Sequence, residues 1–161
     1  MNPCPCGFYG TERCVCRDSD VDKYQKKISG PLLDRIDLQV ELKPLSTDER
    51  FAETKDNVSP RLRTKVERAR QIQTERFSGT EIPFNAAIPG GHVREYCRFS
   101  DEGFSRYKQC IESNTLSTRS MDRLAKVSRT IADLAEVECV ESVHIEKAAT
   151  FVIGGMLRGN F

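Results

Sequence analysis

Between Ser117 and Ala135 the apolar residues recur as Met121, Leu124, Val127 or Ser128, Ile131 and Leu134 or Ala135, the period of an α-helix that turns one face inward. Such a helix needs neighbours to cover its stripe, and the flanking sequence supplies them. Ser59-Pro60 reads as a cap and first-turn pair, followed by Leu62, Val66, Ala69, Ile72 and Phe77 at helical spacing. A connection from Thr80 to Pro89 leads to a short helix over Pro89 to Cys97. Asp101 to Ser113 forms another, with Phe104, Tyr107, Lys108 and Ile111 on one side. A last helix directs Ile145, Ala148, Ala149, Val152, Ile153 and Met156 toward a core. Four or five short helices over residues 60–161 predict a small bundle.

The first third reads differently. Asp20 to Ile28 is a charged helical candidate, closed by the turn Ser29-Gly30-Pro31. In Ile36 to Leu42, Ile36, Leu38, Val40 and Leu42 alternate with polar residues as in a half-buried strand, which Pro44 ends. Residues 45–59 are polar and weakly patterned, with Lys55-Asp56-Asn57 a loop, so the predicted division is 1–44, a linker over 45–59, and 60–161. With 161 residues, 38% apolar and 30% charged, the composition is that of a soluble globular chain with one ordinary core. A net charge of +1 argues against a partner bound by bulk charge. Ala148 to Leu157, the longest nearly apolar stretch, is too short for a membrane helix, and no basic-then-apolar leader is visible. The expected compartment is the cytoplasm.

Cys4, Cys6, Cys14 and Cys16 have the spacing C-x-C-x7-C-x-C. In a reducing compartment this pattern suits a tetrahedral thiolate cage for zinc better than two disulfides, with Gly7 and Gly10 letting the chain fold back. Reduced free thiols and a redox role are the alternatives. Cys97, Cys110 and Cys139 fall in helical patterns and read as core or boundary residues.

Three arginine-bearing places admit both a functional and a bland reading. Arg35, at the edge of the predicted strand, is placed to reach across a subunit boundary toward a phosphate, or simply to pair with Asp34 or Asp37. Arg119 enters the first turn of the clearest helix, where the dipole disfavours a cation unless solvent or an anion accompanies it. Arg61, Arg63, Lys65, Arg68, Arg70 and Arg76, against Glu67 and Glu75, form either a nucleic-acid surface or the wet side of an amphipathic helix. The chain has no phosphate loop, no G-x-G-x-x-G and no H-E-x-x-H, and His92 and His144 are isolated. A self-contained enzyme is therefore not expected.

Met1-Asn2-Pro3-Cys4-Pro5-Cys6-Gly7, then Ile28-Ser29-Gly30-Pro31-Leu32-Leu33-Asp34-Arg35-Ile36-Asp37, then Leu116-Ser117-Thr118-Arg119 with Ser128-Arg129-Thr130-Ile131-Ala132-Asp133-Leu134, resemble the C-terminal portion of magnesium-chelatase-like AAA+ proteins of the competence protein ComM type. The family often has alanine where Thr118 and Ser128 stand. The resemblance implies a mainly α fold: a helical-bundle AAA+ lid preceded by a residual α/β edge of the ATPase core, with one strand and a Cys-rich loop. It implies that Asn2 is similar to the sensor 1 residue, Arg35 to the arginine finger of a neighbouring subunit, and Arg119 to the sensor 2 arginine. An arginine finger is worth about 10³ to 10⁵ in rate. The implied cofactor is ATP with Mg²⁺, beside the Zn²⁺ that the spacing of the four cysteines suits. The implied partners are DNA and a homo-oligomeric ring, a hexamer, with Walker motifs upstream, so that this chain alone is an inactive monomer. The function so implied is that of a branch-migration helicase-like motor in natural transformation or recombination. Alternatives are the motor subunit of a magnesium chelatase, against which the cysteine insert speaks, and a non-catalytic zinc-bearing binding module.

Overall fold

The computed structural model describes residues 2–33, 35–40, 42, 45–51 and 58–153. Met1, Asp34, Pro44, the expected loop at Lys55-Asp56-Asn57 and Met156 lie outside the described residues. Secondary structure is mainly helical: α1 (Asp18–Gln25), α2 (Gly30–Leu33), α3 (Thr47–Phe51), α4 (Val58–Arg76), α5 (Val93–Cys97), α6 (Asp101–Asn114), α7 (Thr118–Leu134) and α8 (Ser142–Val152), with 3₁₀ turns at Asn85–Ala87 and Gly90–His92.

The predicted periodic segment is α7, and it is the centre of the bundle. Its inward stripe, Leu124, Ala125 and Ala132, is fully buried, and α8, α4 and α5 pack around it. Helix α8 brings Ile145, Ala148 and Val152 to the same core and also packs on α6, which contributes Tyr107 and Cys110. Local chemistry sets the boundaries. Ser117 caps α7 by accepting from the Ser120 N–H, and Ser100 caps α6 by accepting from the Gly103 N–H. Glu141 and His144 form a reciprocal capping box on α8. The start of α6 presses against the segment leading into α8: a Cβ on Gly103 would lie 2.0 Å from the Val140 carbonyl oxygen.

Three expectations differ in detail. The charged helix of the first third spans Asp18–Gln25, and Gly30-Pro31 opens the short α2 instead of only punctuating the chain. Helix α4 begins at Val58, so Ser59 lies inside it; Pro60 sits in the first turn, where its missing N–H costs nothing. Among the described residues the predicted strand is not formed. Residues 36–40 carry no ladder, and Leu38, Val40 and Leu42 are 52%, 65% and 89% exposed. A strand exists only with a partner to satisfy its backbone, and among the described residues the one sheet-like pairing is the Phe99–Val140 bridge. The Gln39 N–H instead donates to the Phe151 carbonyl of α8 at 2.9 Å. Among the described residues no helix is long and apolar enough to cross a membrane.

Candidate functional site

Two clusters hold part of the residues singled out from sequence, Arg119 in one and the four cysteines in the other. The first is an open groove of about 690 Å³ along α7. Arg119, Asp122, Arg123, Lys126, Val127, Thr130, Ile131 and Leu134 line it at helical spacing, opposite Leu38, Val40 and Phe151. Its lining combines apolar side chains with three cations and the carboxylates of Asp37 and Asp122. Lys126 donates to the Ala86 carbonyl at 3.3 Å. Arg123, 5% exposed, donates to the Ile36 carbonyl at 2.8 Å and to Ser120 Oγ at 3.2 Å, with the Leu33 carbonyl at 3.5 Å. Arg119 is exposed and, among the described residues, its guanidinium has no hydrogen-bond or ion-pair partner.

Arg35 does not line the groove; it lies on the turn after α2, two residues before Asp37, which does. Its N–H donates to the Leu32 carbonyl and that of Ile36 to the Leu33 carbonyl, so the turn is closed locally. Its side chain is exposed and makes no pair with Asp37; Asp34 lies outside the described residues. The carbonyls that Arg123 grips, at 33 and 36, bracket Arg35. Sequence reading missed Arg123. The available signal was the recurrence of cations at 119, 123 and 126, one face of α7.

The second cluster is the cysteine segment. Cys4, Cys6, Cys14 and Cys16 place their sulfurs all within 4.8 Å of one another, with Cys4 fully buried and the others half-buried. Sγ separations are 3.4 Å for Cys4–Cys6, 3.9 Å for Cys4–Cys14 and 3.8 Å for Cys6–Cys14. Gly7 and Gly10, at φ of 83° and 77°, reverse the chain between the pairs. Backbone N–H groups of the Phe8 and Val15 region lower the Cys6 thiol to about 6. For Cys16 the backbone at Cys6 acts in the same direction, but burial and the neighbouring Cys6 and Cys4 sulfurs prevail and push it up to about 12. One sulfur thus ionises readily and makes the next costly, a conflict that a bound cation would remove. Asn2 is exposed and lies against this cluster, its Nδ2 at 3.5 Å from where a Gly7 Cβ would stand, and it does not line the groove.

The run Ser128–Leu134 serves packing. Arg129 and Asp133 are 0% and 1% exposed. Arg129 donates to the carbonyls of Cys97, Val137 and Glu138 and to Asp133 Oδ1, and Asp133 also receives Arg76 and Asn85. Burial lowers the Arg129 guanidinium from its ordinary value, against the pull of Asp133. Arg61, Arg63, Lys65, Arg68 and Arg70 are exposed along α4, as both readings of this helix require, but Arg76 turns inward to this network.

The family profile described as magnesium chelatase, subunit ChlI C-terminal, matches residues 56–151, and that described as magnesium chelatase, subunit ChlI, matches residues 1–50. Competence protein ComM of Haemophilus influenzae is 32% identical over 150 residues, 92% of this chain and 28% of that protein. Uncharacterized protein YifB of Escherichia coli is 29% identical over 153 residues, 94% of this chain and 29% of that protein. An uncharacterized Mycobacterium tuberculosis protein is 32% identical over 134 residues, 83% of this chain and 26% of that protein. The chain spans less than a third of the length of these relatives.

Proposed function

We propose, since the chain belongs to the magnesium chelatase ChlI family of AAA+ proteins and is of the ComM type, that it forms the lid and the finger-bearing edge of an ATP-driven ring motor that works on DNA. The observation that carries this reading is mechanical. Helix α7 holds Arg119 in its first turn and, through Arg123, grips the two carbonyls that bracket Arg35. Two guanidiniums with no partner among the described residues are therefore borne by one helix-and-turn unit. Arg119 opens into the groove of its own chain, and Arg35 points its charge outward from the turn, where a neighbouring protomer's nucleotide would meet it. Guanidinium forks suit phosphate oxygens, keep their charge, and stabilise the charge that spreads over a transferring phosphoryl group. ATP with Mg²⁺ is the substrate; because these residues include no phosphate loop, its cradle comes from another part of the assembly. Asn2, against the cysteine cluster, is the candidate to orient the attacking water once that cradle is in place.

The test measures ATP turnover by the complete gene product at ring-forming concentration. Arg35→Ala is expected to lower turnover about 10³-fold or more while oligomer size stays unchanged. Arg119→Ala is expected to weaken nucleotide binding and leave assembly intact. Unchanged turnover in Arg35→Ala refutes the finger assignment. Addition of DNA separates the motor from the chelatase reading that the family's description favours: DNA-stimulated turnover supports the first, porphyrin-stimulated turnover the second.

A further inference from the structure

Outside the groove, the strongest unexplained chemistry is the sulfur cluster. Residues 2–25 bury only Cys4 and Val21, so this segment has almost no apolar core of its own. Yet it folds around four sulfurs from two C-x-C pairs, all within 4.8 Å. Disulfide bonds do not account for this: all four thiols are free, and the separations of 3.4, 3.8 and 3.9 Å far exceed an S–S bond of about 2.05 Å. They do match the edge of a tetrahedron whose centre lies about 2.3 Å from each sulfur, which is about 3.8 Å.

We propose that Cys4, Cys6, Cys14 and Cys16 form a closed tetrathiolate zinc site whose role is to hold residues 2–25 folded. Four protein sulfurs leave no open position for water or substrate, so the site is structural. Thiolates select a soft cation over Mg²⁺, which keeps this metal distinct from the one that accompanies ATP. On binding, Zn²⁺ takes four sulfur lone pairs, the thiols give up their protons to solvent, and nothing is oxidised or reduced. Two contacts pass the order outward. Gln25 Nε2 of α1 donates to the Pro3 carbonyl at 3.0 Å, next to Cys4, and the Asn2 amide rests on the Gly7 turn. Releasing the metal therefore releases α1 and Asn2 together. None of this depends on the motor reading, and a failed ATPase test leaves it standing.

The experiment uses the 161-residue chain, purified reduced and stripped of metal, titrated with Co²⁺ and then Zn²⁺. The expected result is one equivalent of Co²⁺ with a tetrahedral, sulfur-ligated visible spectrum, erased by one equivalent of Zn²⁺. Cys14→Ser is expected to weaken Zn²⁺ binding by more than about 100-fold, since losing even an outer-shell partner costs 10–100-fold. Cys139→Ser, outside the cluster, should leave it unchanged. Hydrogen exchange should show Zn²⁺ protecting residues 2–25 while α6, α7 and α8 exchange as before. If Cys14→Ser unfolds the chain, the comparison of stripped and Zn²⁺-loaded unsubstituted chain gives the same reading. Absence of stoichiometric binding, an octahedral cobalt spectrum, or binding indifferent to Cys14→Ser overturns the site. Equal exchange of residues 2–25 with and without Zn²⁺ overturns its structural role.

Discussion

Replacing Asp133 by asparagine probes the bundle at its most charged interior point. The aspartate is 1% exposed and receives Asn85 Nδ2 at 2.7 Å, Arg76 Nη1 at 2.9 Å and Arg129 Nε at 3.1 Å, with a second contact to each guanidinium. Asp133→Asn preserves shape, removes the negative charge and turns an amide NH₂ toward groups that are themselves donors. Breaking a buried ion pair costs about 3–5 kcal/mol because the remaining charge has no compensation. Arg129 keeps its bonds to the carbonyls of Cys97, Val137 and Glu138, and Arg76 keeps Asn85 Oδ1. Those survivors place the loss near the lower end, about 3 kcal/mol. For a domain of about 100 residues this lowers Tm by about 12–24 °C. The assay is urea unfolding followed by helical circular dichroism, with Glu136→Gln as comparison. Glu136 pairs with Arg68 at 3.2 Å on the surface, and an exposed pair of that kind contributes about 0–1 kcal/mol. At 1 M salt the surface effect should vanish and the buried one persist. A loss in Asp133→Asn no larger than that in Glu136→Gln refutes the view that this carboxylate holds the two arginines.

Gly103→Ala should destabilise the bundle by about 1–3 kcal/mol despite alanine's higher helix propensity, because the added Cβ meets backbone at Val140; thermal unfolding checks it. His144, 6% exposed, accepts the Glu141 N–H on Nδ1 at 3.0 Å. Burial lowers its pKa, with Glu141 opposing and Arg129 reinforcing, so the unfolded chain takes up the proton first. Its contribution is complete above the ordinary value of 6.5 and lost as pH falls below it, so unfolding free energy should drop between pH 7.5 and 5.5 and His144→Gln should flatten that drop. The Cys97 thiol, fully buried and pushed up to about 12 by burial, should resist alkylation at pH 8 while half-buried Cys139 reacts; mass mapping reads both. Arg123→Gln should speed amide exchange at Arg35 and Ile36, whose N–H groups close the turn, and equal exchange would refute the link to α7.

What sequence made legible was whatever depends on side-chain type at short range. Helix α7 follows from its period, and the four cysteines lie so close in the chain that a turn brings them together. Period alone does not say how far a face is covered. The stripe Leu62, Val66, Ala69, Ile72 and Phe77 runs along α4, yet Leu62 and Val66 are 54% and 53% exposed and burial begins only at Ala69, where α7 comes alongside. Alternation in Ile36–Leu42 likewise marked two faces without telling whether a partner strand stood beside them. The arginines show the deeper reason. Arg35 and Arg119 are visible because one flanks the turn at the expected strand and the other a helix start, but Arg123 and Arg129 engage carbonyls from 33, 36, 97, 137 and 138. Every residue carries such an acceptor, so no pattern of residue types marks where an arginine will find one. Yet Arg123, which holds the turn beneath the proposed finger, reaches that turn through such anonymous groups, the carbonyls of Leu33 and Ile36. Residues readable from sequence can thus be held in place by bonds that are not, and only the fold shows which arginine is left exposed and which binds the chain itself.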